Sequence, residues 1–383
     1  EVLVSIAKDK EAEYSMVQVY YKHPMFIQKT LGDYRQSIVH QLFNSMINNR
    51  LNELRQQENP PFIFGYSAYS PFLGPKDMYM SVAMVANNKA MSGLQALLEE
   101  NERVKRFGFT ESEFEREKKS LLKEIENSFN ERNKIESDKF VAEYVRNFGM
   151  NKEPIPGIEI EFELYKKFIP EISLQEVNKL ANEWITDKNK VVIVTGPDKD
   201  DVELPNENNI FDLVEKIKNI EITPYIDRVS DLPLIEKLPA KGKVNKVNKN
   251  KALGYEEWNL SNGAKVILKQ TDFKDNEVLF YAFSQGGNSL YTQKDDVSAE
   301  IAASVFAASG VGAFDKIELD KKLSDKVVYL NPFINELYEG FNGKCAPQDI
   351  ETMLQLVHLY FSQPRLSKEA FSSFINKKKA EYE

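Results

Sequence analysis

The run Trp258-Asn-Leu-Ser-Asn-Gly-Ala-Lys-Val266 decides how this chain is read. Trp258 and Leu260 alternate with polar residues into Ser261-Asn262-Gly263, and Val266 and Leu268 alternate out of it. Alternation sends successive side chains to opposite faces of a strand. Asn-Gly between two such runs predicts a β-hairpin with a type I′ turn, which needs positive φ at both central residues. The hairpin opens a module. A further strand follows at Glu277–Ser284, then Gly286-Gly287, then a small apolar run over 296–308 that reads as a buried helix. Gly310-Val-Gly312 breaks that helix before a short one near 314–323. Strand-like segments at 327–333 and 337–343 lead to a helix over 348–361, and Ser367 caps a last one.

The N-terminal half has its own pattern. Strands are predicted at 2–6 and Met16–Lys22, with His23-Pro24 marking a turn. Ile38, Val39, Leu42, Phe43, Met46, Ile47, Leu51 and Leu54 form a helical stripe over 33–56. Two more strands, about 62–70 and 77–86, meet at Gly74-Pro75, and 89–106 is helical. Thr110-Glu-Ser-Glu113 and Ser173-Leu-Gln-Glu176 are capping boxes that open two further helices. Lys190–Thr195 is a short apolar strand, stopped by Gly196-Pro197.

The two halves share features at a nearly constant offset. Tyr79, Leu94-Gln95, Thr110 and Phe114 correspond to Tyr338, Leu354-Gln355, Ser367 and Phe371. Such a repeat is expected of two copies of one fold. Between them, 197–254 is rich in Asn, Lys, Asp, Glu and Pro, with five lysines in 241–251. It reads as an extended, solvated linker. The expected organisation is therefore an α+β chain with one module over 1–200, a linker over 201–254 and a second module over 255–383. Both ends read as internal to a longer polypeptide: Glu1 leads straight into a strand, and the last residues continue a helix without a stop signal.

Bulk properties exclude some functions. A formal net charge of −9 argues against nucleic acid, whose binding needs clustered Lys and Arg. No apolar run reaches the roughly 18–20 residues of a membrane-spanning helix. Cys345 is the single cysteine, which rules out an intrachain disulfide and a thiolate metal cluster within one chain.

The chain offers no convincing catalytic constellation. A catalytic zinc needs three protein ligands and an open position, yet the three histidines are His23, His40 and His358, none within five residues of another. No Glu-His pair follows His40 or His358 at helical spacing; all three read as structural or surface residues. Gly65-Tyr-Ser67-Ala-Tyr69 lacks the second glycine of a nucleophile elbow. Gly310-Val-Gly312 lacks the third glycine of a dinucleotide loop.

The hairpin, together with Gly286-Gly287-Asn-Ser289, Gly310-Val-Gly312, Tyr338-Glu-Gly340-Phe-Asn-Gly343 and the Leu354–Tyr360 helix, resembles a domain of the pitrilysin/insulinase family of zinc metallopeptidases. The N-terminal half is similar to the family's second domain, including the helix that carries Asn-Arg50-Leu-Asn-Glu-Leu and the strand before Gly196-Pro197. The resemblance covers nearly all of the chain outside the linker. It implies homologous α/β domains paired into two bowls around a closed chamber. It also implies a first domain, here upstream of Glu1, that carries the inverted motif His-x-x-Glu-His and holds the zinc.

In the second module the positions matching that motif are Ala299, Ala302 and Ala303, which can neither bind metal nor move a proton. Glu300 falls at a variable position, and Glu381 and Glu383 lie near the place of the third ligand without histidines to complete it. This module therefore resembles the family's degenerate third domain. The resemblance implies no catalytic or metal-binding residue in this chain, and a role as chamber wall, hinge and substrate-anchoring edge of a zinc endopeptidase. Its partners would be the remaining domains of the same polypeptide and a peptide or unfolded-protein substrate, and its compartment the periplasm. The anchoring edge would be Pro71-Phe72-Leu73-Gly74 leading into Met78–Met84, through β-strand addition. The plainer reading is that Phe72 and Leu73 cover the core and Gly74-Pro75 makes a turn. Two rivals stay open: a wholly non-catalytic structural or partner subunit of the same fold, and an unrelated α/β binding module.

Overall fold

The chain is α+β. The computed structural model describes residues 2–150 and 154–382. The N-terminal half runs β1 (Val2–Asp9), β2 (Ser15–Pro24), α1 (Leu31–Arg55), β3 (Phe64–Pro71), β4 (Lys76–Val85), α2 (Ala90–Phe107), α3 (Glu111–Asn130), α4 (Ser137–Met150), α5 (Ile158–Glu171), α6 (Leu174–Trp184), β5 (Lys190–Pro197) and α7 (Glu207–Ile217). The C-terminal half runs β6 (Val244–Asn250), β7 (Tyr255–Leu260), β8 (Lys265–Leu268), β9 (Val278–Gln285), α8 (Asp296–Ala308), α9 (Lys316–Lys322), β10 (Val328–Ile334), β11 (Tyr338–Cys345), α10 (Ile350–Ser362) and α11 (Lys368–Tyr382).

Local chemistry sets the helix starts. Thr110 accepts from the Glu113 N–H while Glu113 reaches back to the Thr110 N–H at 2.8 Å, and Ser173 with Glu176 repeats the arrangement. Both boxes satisfy donors that a helix start otherwise leaves unpaired.

The first sheet has the order β1-β5-β2-β4-β3, with β1 parallel to β5 and the other pairs antiparallel. The helices that pack against it, α1, α2 and α7, lie on one face. Val17, Val19, Tyr79, Ala83, Val192 and Val194 point that way and are fully buried. Trp184, at the end of α6, packs its ring against His40, Phe43, Tyr69 and Tyr79.

The second half forms two three-stranded sheets, β10-β11-β9 and β6-β7-β8. A separate core forms around Val311, Phe314, Phe341, Leu356 and Tyr360. Apart from α9, inserted between α8 and β10, the order β9, α8, β10, β11, α10, α11 repeats β2, α1, β3, β4, α2, α3, and the strand neighbours β9–β11–β10 repeat β2–β4–β3. The offset seen in sequence is thus also a repeat of topology.

Two expectations are corrected. The Ser261-Asn262-Gly263 turn is not type I′. Gly263 lies at φ +86° and Asn262 is not in the positive-φ region. The Leu260 N–H donates to the Ala264 carbonyl at 2.9 Å and the Gly263 N–H to the Leu260 carbonyl at 3.1 Å. The loop therefore has three residues, a form that needs the left-handed region only at its closing glycine. The 197–254 segment, in turn, is not uniformly extended. Asn206 caps α7, whose Ile210, Leu213, Val214 and Ile217 are buried as it packs on α2 and β1. Composition averaged over the segment hides this one amphipathic stripe. Residues 244–250 form β6, an almost wholly exposed strand tied to β7 by main-chain bonds rather than by burial.

Candidate substrate-facing surface

A β-sheet with helices on one face leaves the other to solvent or to a partner. On the first sheet that other face is apolar. The register sets Met16 beside Met84 and Phe64, Gln18 beside Val82 and Tyr66, and Tyr20 beside Met80 and Ala68. On β5, Ile193 and Val191 continue the second and third rows. The side chains of Met16, Tyr20, Met78, Met80, Val82 and Met84 are partly exposed, unlike their neighbours on the helix face. Four methionines among two tyrosines make an adaptable surface, because an unbranched thioether can re-pack against varied apolar shapes.

The structure places Phe72, Leu73 and Gly74 at the tip of the β3–β4 hairpin. The Phe72 N–H donates to the Lys76 carbonyl at 3.0 Å, and the Lys76 N–H to the Leu73 carbonyl at 3.2 Å. Gly74 turns the chain at φ +55°. The Phe72 ring lies 6.0 Å from that of Tyr20, so it extends the open face, while Leu73 is 70% exposed.

The segment Met78–Met84 is not an edge. It lies in β4, hydrogen-bonded to β2 on one side and β3 on the other, so its main chain has nothing left to offer a peptide. Sequence reasoning missed this because strand order depends on which distant strands return to flank it. The outer edge belongs to β3, and part of it is occupied by asparagine side chains: Asn44 accepts from the Tyr69 N–H, and Asn48 accepts from the Ser67 N–H, both at 2.9 Å.

In the second half, Leu279, Tyr281 and Phe283 of β9 are exposed on the face away from α8 and α10, and Tyr281 stacks on Phe333 of β10 at 5.4 Å. Ala299, Ala302 and Ala303 lie on α8. Ala299 is buried, and Ala302 and Ala303 line an apolar cavity of about 650 Å³ with Ile301, Val305 and Phe361. Alanine methyl groups offer a zinc ion no donor atom, so these three side chains cannot hold one. Among the described residues no three His, Cys, Asp or Glu side chains are grouped to hold a metal. Glu383 lies outside the described residues, and so does the side chain of Glu381.

His23 and His40 are built into the packing of the first half. His23 Nε2 lies 3.0 Å from the Trp184 carbonyl oxygen. His40 sits among Phe26, Tyr69 and Trp184, and burial pulls its pKa down to about 4. The Gly65–Tyr69 run is the strand β3 itself, and Ser67 is hydrogen-bonded to Ser81 at 2.8 Å with no base beside it. No helix among the described residues is long and apolar enough to cross a membrane.

Comparison with known proteins matches this fold. No family model matches the chain. It is 26% identical over 383 residues to a zinc protease PQQL-like protein of Arabidopsis thaliana, covering 99% of this chain and 36% of that protein. It is 25% identical over 355 residues to the probable zinc protease PqqL of Haemophilus influenzae, covering 90% and 37%. Among solved structures it resembles the ferredoxin protease FusC bound to Arabidopsis ferredoxin, with TM-score 0.59, 18% identity and coverage of 100% and 43%. It resembles pitrilysin with TM-score 0.58, 13% identity and coverage of 99% and 39%. For the periplasmic protease PqqL of Escherichia coli the TM-score is 0.51, at 16% identity and coverage of 98% and 42%. The chain therefore has the fold of pitrilysin-type proteases, and in sequence it is similar to proteins named as zinc proteases. It spans little more than a third of the length of the curated relatives it matches.

Proposed function

We propose that this chain is a non-catalytic part of a zinc-dependent endopeptidase, lining the space that holds the substrate and performing no bond chemistry itself. The observation that carries the reading is the uncovered, methionine-rich face of β2, β3 and β4, a surface suited to apolar side chains of an unfolded polypeptide. Residues 1–200 would be the second domain of such a protein, 201–254 the connection between lobes, and 255–383 a third domain. The greater length of the zinc proteases it matches supports a catalytic, zinc-holding domain elsewhere in a longer polypeptide, which this reading sets before the second domain. Phe72, Leu73 and Gly74 would touch the substrate as a turn at the rim of the open face. The Escherichia coli relative supports a periplasmic location.

The purified chain tests this directly. It is expected to carry no stoichiometric zinc, to cleave no peptide, and to be labelled on β2 and β4 by an unfolded peptide bearing a photo-crosslinker. Zinc at one equivalent with chelator-sensitive hydrolysis would refute the non-catalytic reading. Crosslinks confined to other surfaces would refute the wall.

A further inference from the structure

The segment that follows α7 does not run free to the second half. Ile222 is buried, and the ring of Tyr225 lies over the Arg50 guanidinium at 4.1 Å. The Tyr225 hydroxyl donates to Glu53 at 2.7 Å and accepts from Lys321 Nζ at 3.0 Å. Two residues on, Asp227 receives Arg116 through both its oxygens, at 2.8 and 3.2 Å, and the Ser112 hydroxyl at 2.6 Å. Residues 222–227 thus form a strap stitched to α1 and α3.

Lys321 enters this site from α9. Its ammonium is 2.8 Å from Glu53 and 2.9 Å from Asp227, and its side chain is only 8% exposed. Arg116 pairs with Asp227, whereas Glu53 has Lys321 as its cationic partner, so the one ammonium serves both carboxylates. The Asp227 carboxyl, although burial alone would raise its pKa, is held down at about 2 by bonds from Arg116, Ser112 and Lys321. It is therefore an anion at any ordinary pH.

The seam around this pocket is incompletely packed. A cavity of about 670 Å³ lies beside it, lined by Ile317, Ala370 and Phe374 as well as Arg55, Asp320 and Lys377. Asn376 reaches across to the Glu58 carbonyl at 3.2 Å. An incompletely packed seam of mixed polarity lets two units move unless specific contacts fix them.

We propose that Lys321 is the bolt of a latch: seated between Glu53 and Asp227 beneath Tyr225, it holds the second half docked on the first, and its departure releases that half. The latch works through asymmetry. Docking strips water from Lys321 and is repaid only by the full set of acceptors. Removing one partner leaves a charge in the pocket without compensation, which favours release. The latch is independent of what the open sheet face binds.

Hydrogen exchange and small-angle scattering on the full 383-residue chain test it. Lys321→Met is expected to speed amide exchange over 222–228 by about tenfold or more, to enlarge the radius of gyration, and to leave exchange in β2 and β4 unchanged. Glu53→Gln, which alters only the first half, is expected to shift both readouts the same way. The double variant is expected to go no further than Lys321→Met, because the two residues act through one contact. Lys344→Met, at an exposed position of β11 away from this cavity, is expected to match the parent chain. Parent-like exchange and dimensions in Lys321→Met, or additive effects in the double variant, would overturn the latch. Should Lys321→Met lose helical circular dichroism, Glu53→Gln decides alone: parent-like exchange and dimensions there refute it.

Discussion

Asn48 grips Ser67 by both of its main-chain groups. The Ser67 N–H donates to Asn48 Oδ1 at 2.9 Å, and Asn48 Nδ2 donates to the Ser67 carbonyl at 2.7 Å. One helical turn earlier, Asn44 holds the Tyr69 N–H and carbonyl in the same way. A bare edge strand offers such groups to any passing strand. Here two side-chain amides on one face of α1 stand where a neighbouring strand would be, and the edge is closed over Ser67 and Tyr69.

Asn48→Ala should therefore loosen that edge. It leaves the outward groups of Ser67 without their partner, at a cost of about 1–3 kcal/mol. A lower urea midpoint and faster amide exchange at Ser67 are the expected outcomes. An unchanged Ser67 exchange rate would show that the amide clasp contributes nothing.

Arg50 carries more. It is buried, grips Glu113 through Nε at 2.6 Å and Nη2 at 2.8 Å, and touches Glu100 at 3.2 Å. Truncation to Met strands these carboxylates and should cost about 3–5 kcal/mol. Arg50→Lys should recover only part of this, because a point charge cannot reproduce the two-pronged contact. Chemical denaturation of both variants checks the order.

His40 predicts an acid limb in the stability profile. Its folded pKa, about 4, lies below the unfolded value near 6.5. Between these the unfolded chain binds a proton that the folded chain refuses. Stability is thus fully present above about pH 6.5 and falls as pH drops toward 4, by up to about 2–3 kcal/mol. His40→Phe should flatten this part of the profile. An unaltered slope would assign the acid limb to other groups.

Two glycines in the left-handed region should respond differently to alanine. At Gly74, φ +55°, an added Cβ meets nothing within 4 Å, so only backbone strain of about 1 kcal/mol is expected. At Gly310, φ +80°, the Cβ would lie 2.3 Å from the Phe314 carbonyl oxygen. Gly310→Ala should lower the melting temperature clearly more than Gly74→Ala, and equal losses would contradict the close approach.

Much of the fold was legible because its signals are local. The boxes at Thr110 and Ser173 start helices because their side chains reach only three residues on. The stripe from Ile38 to Leu51 reads as one buried face because helical spacing sets it. The break at Gly310-Val-Gly312 follows from the left-handed conformation both glycines adopt. Amphipathic α7, by contrast, was lost inside a polar average, and the hairpin turn was misassigned because Asn-Gly serves more than one loop length.

Of the candidate surface, local turn chemistry marked Gly74-Pro75, and the resemblance to the family singled out Phe72–Gly74 and the alanines of α8. They did not reveal which strand forms the sheet edge, that Asn44 and Asn48 close it, or that Lys321 reaches Glu53. Each of these depends on residues far apart in the chain arriving at one place. What the sequence determined by itself is where elements start, stop and turn, and which side of each is apolar, since nearest-neighbour sterics and periodicity decide those. Which apolar side is covered and which stays open was decided only by tertiary structure, because covering a face takes helices from elsewhere in the chain.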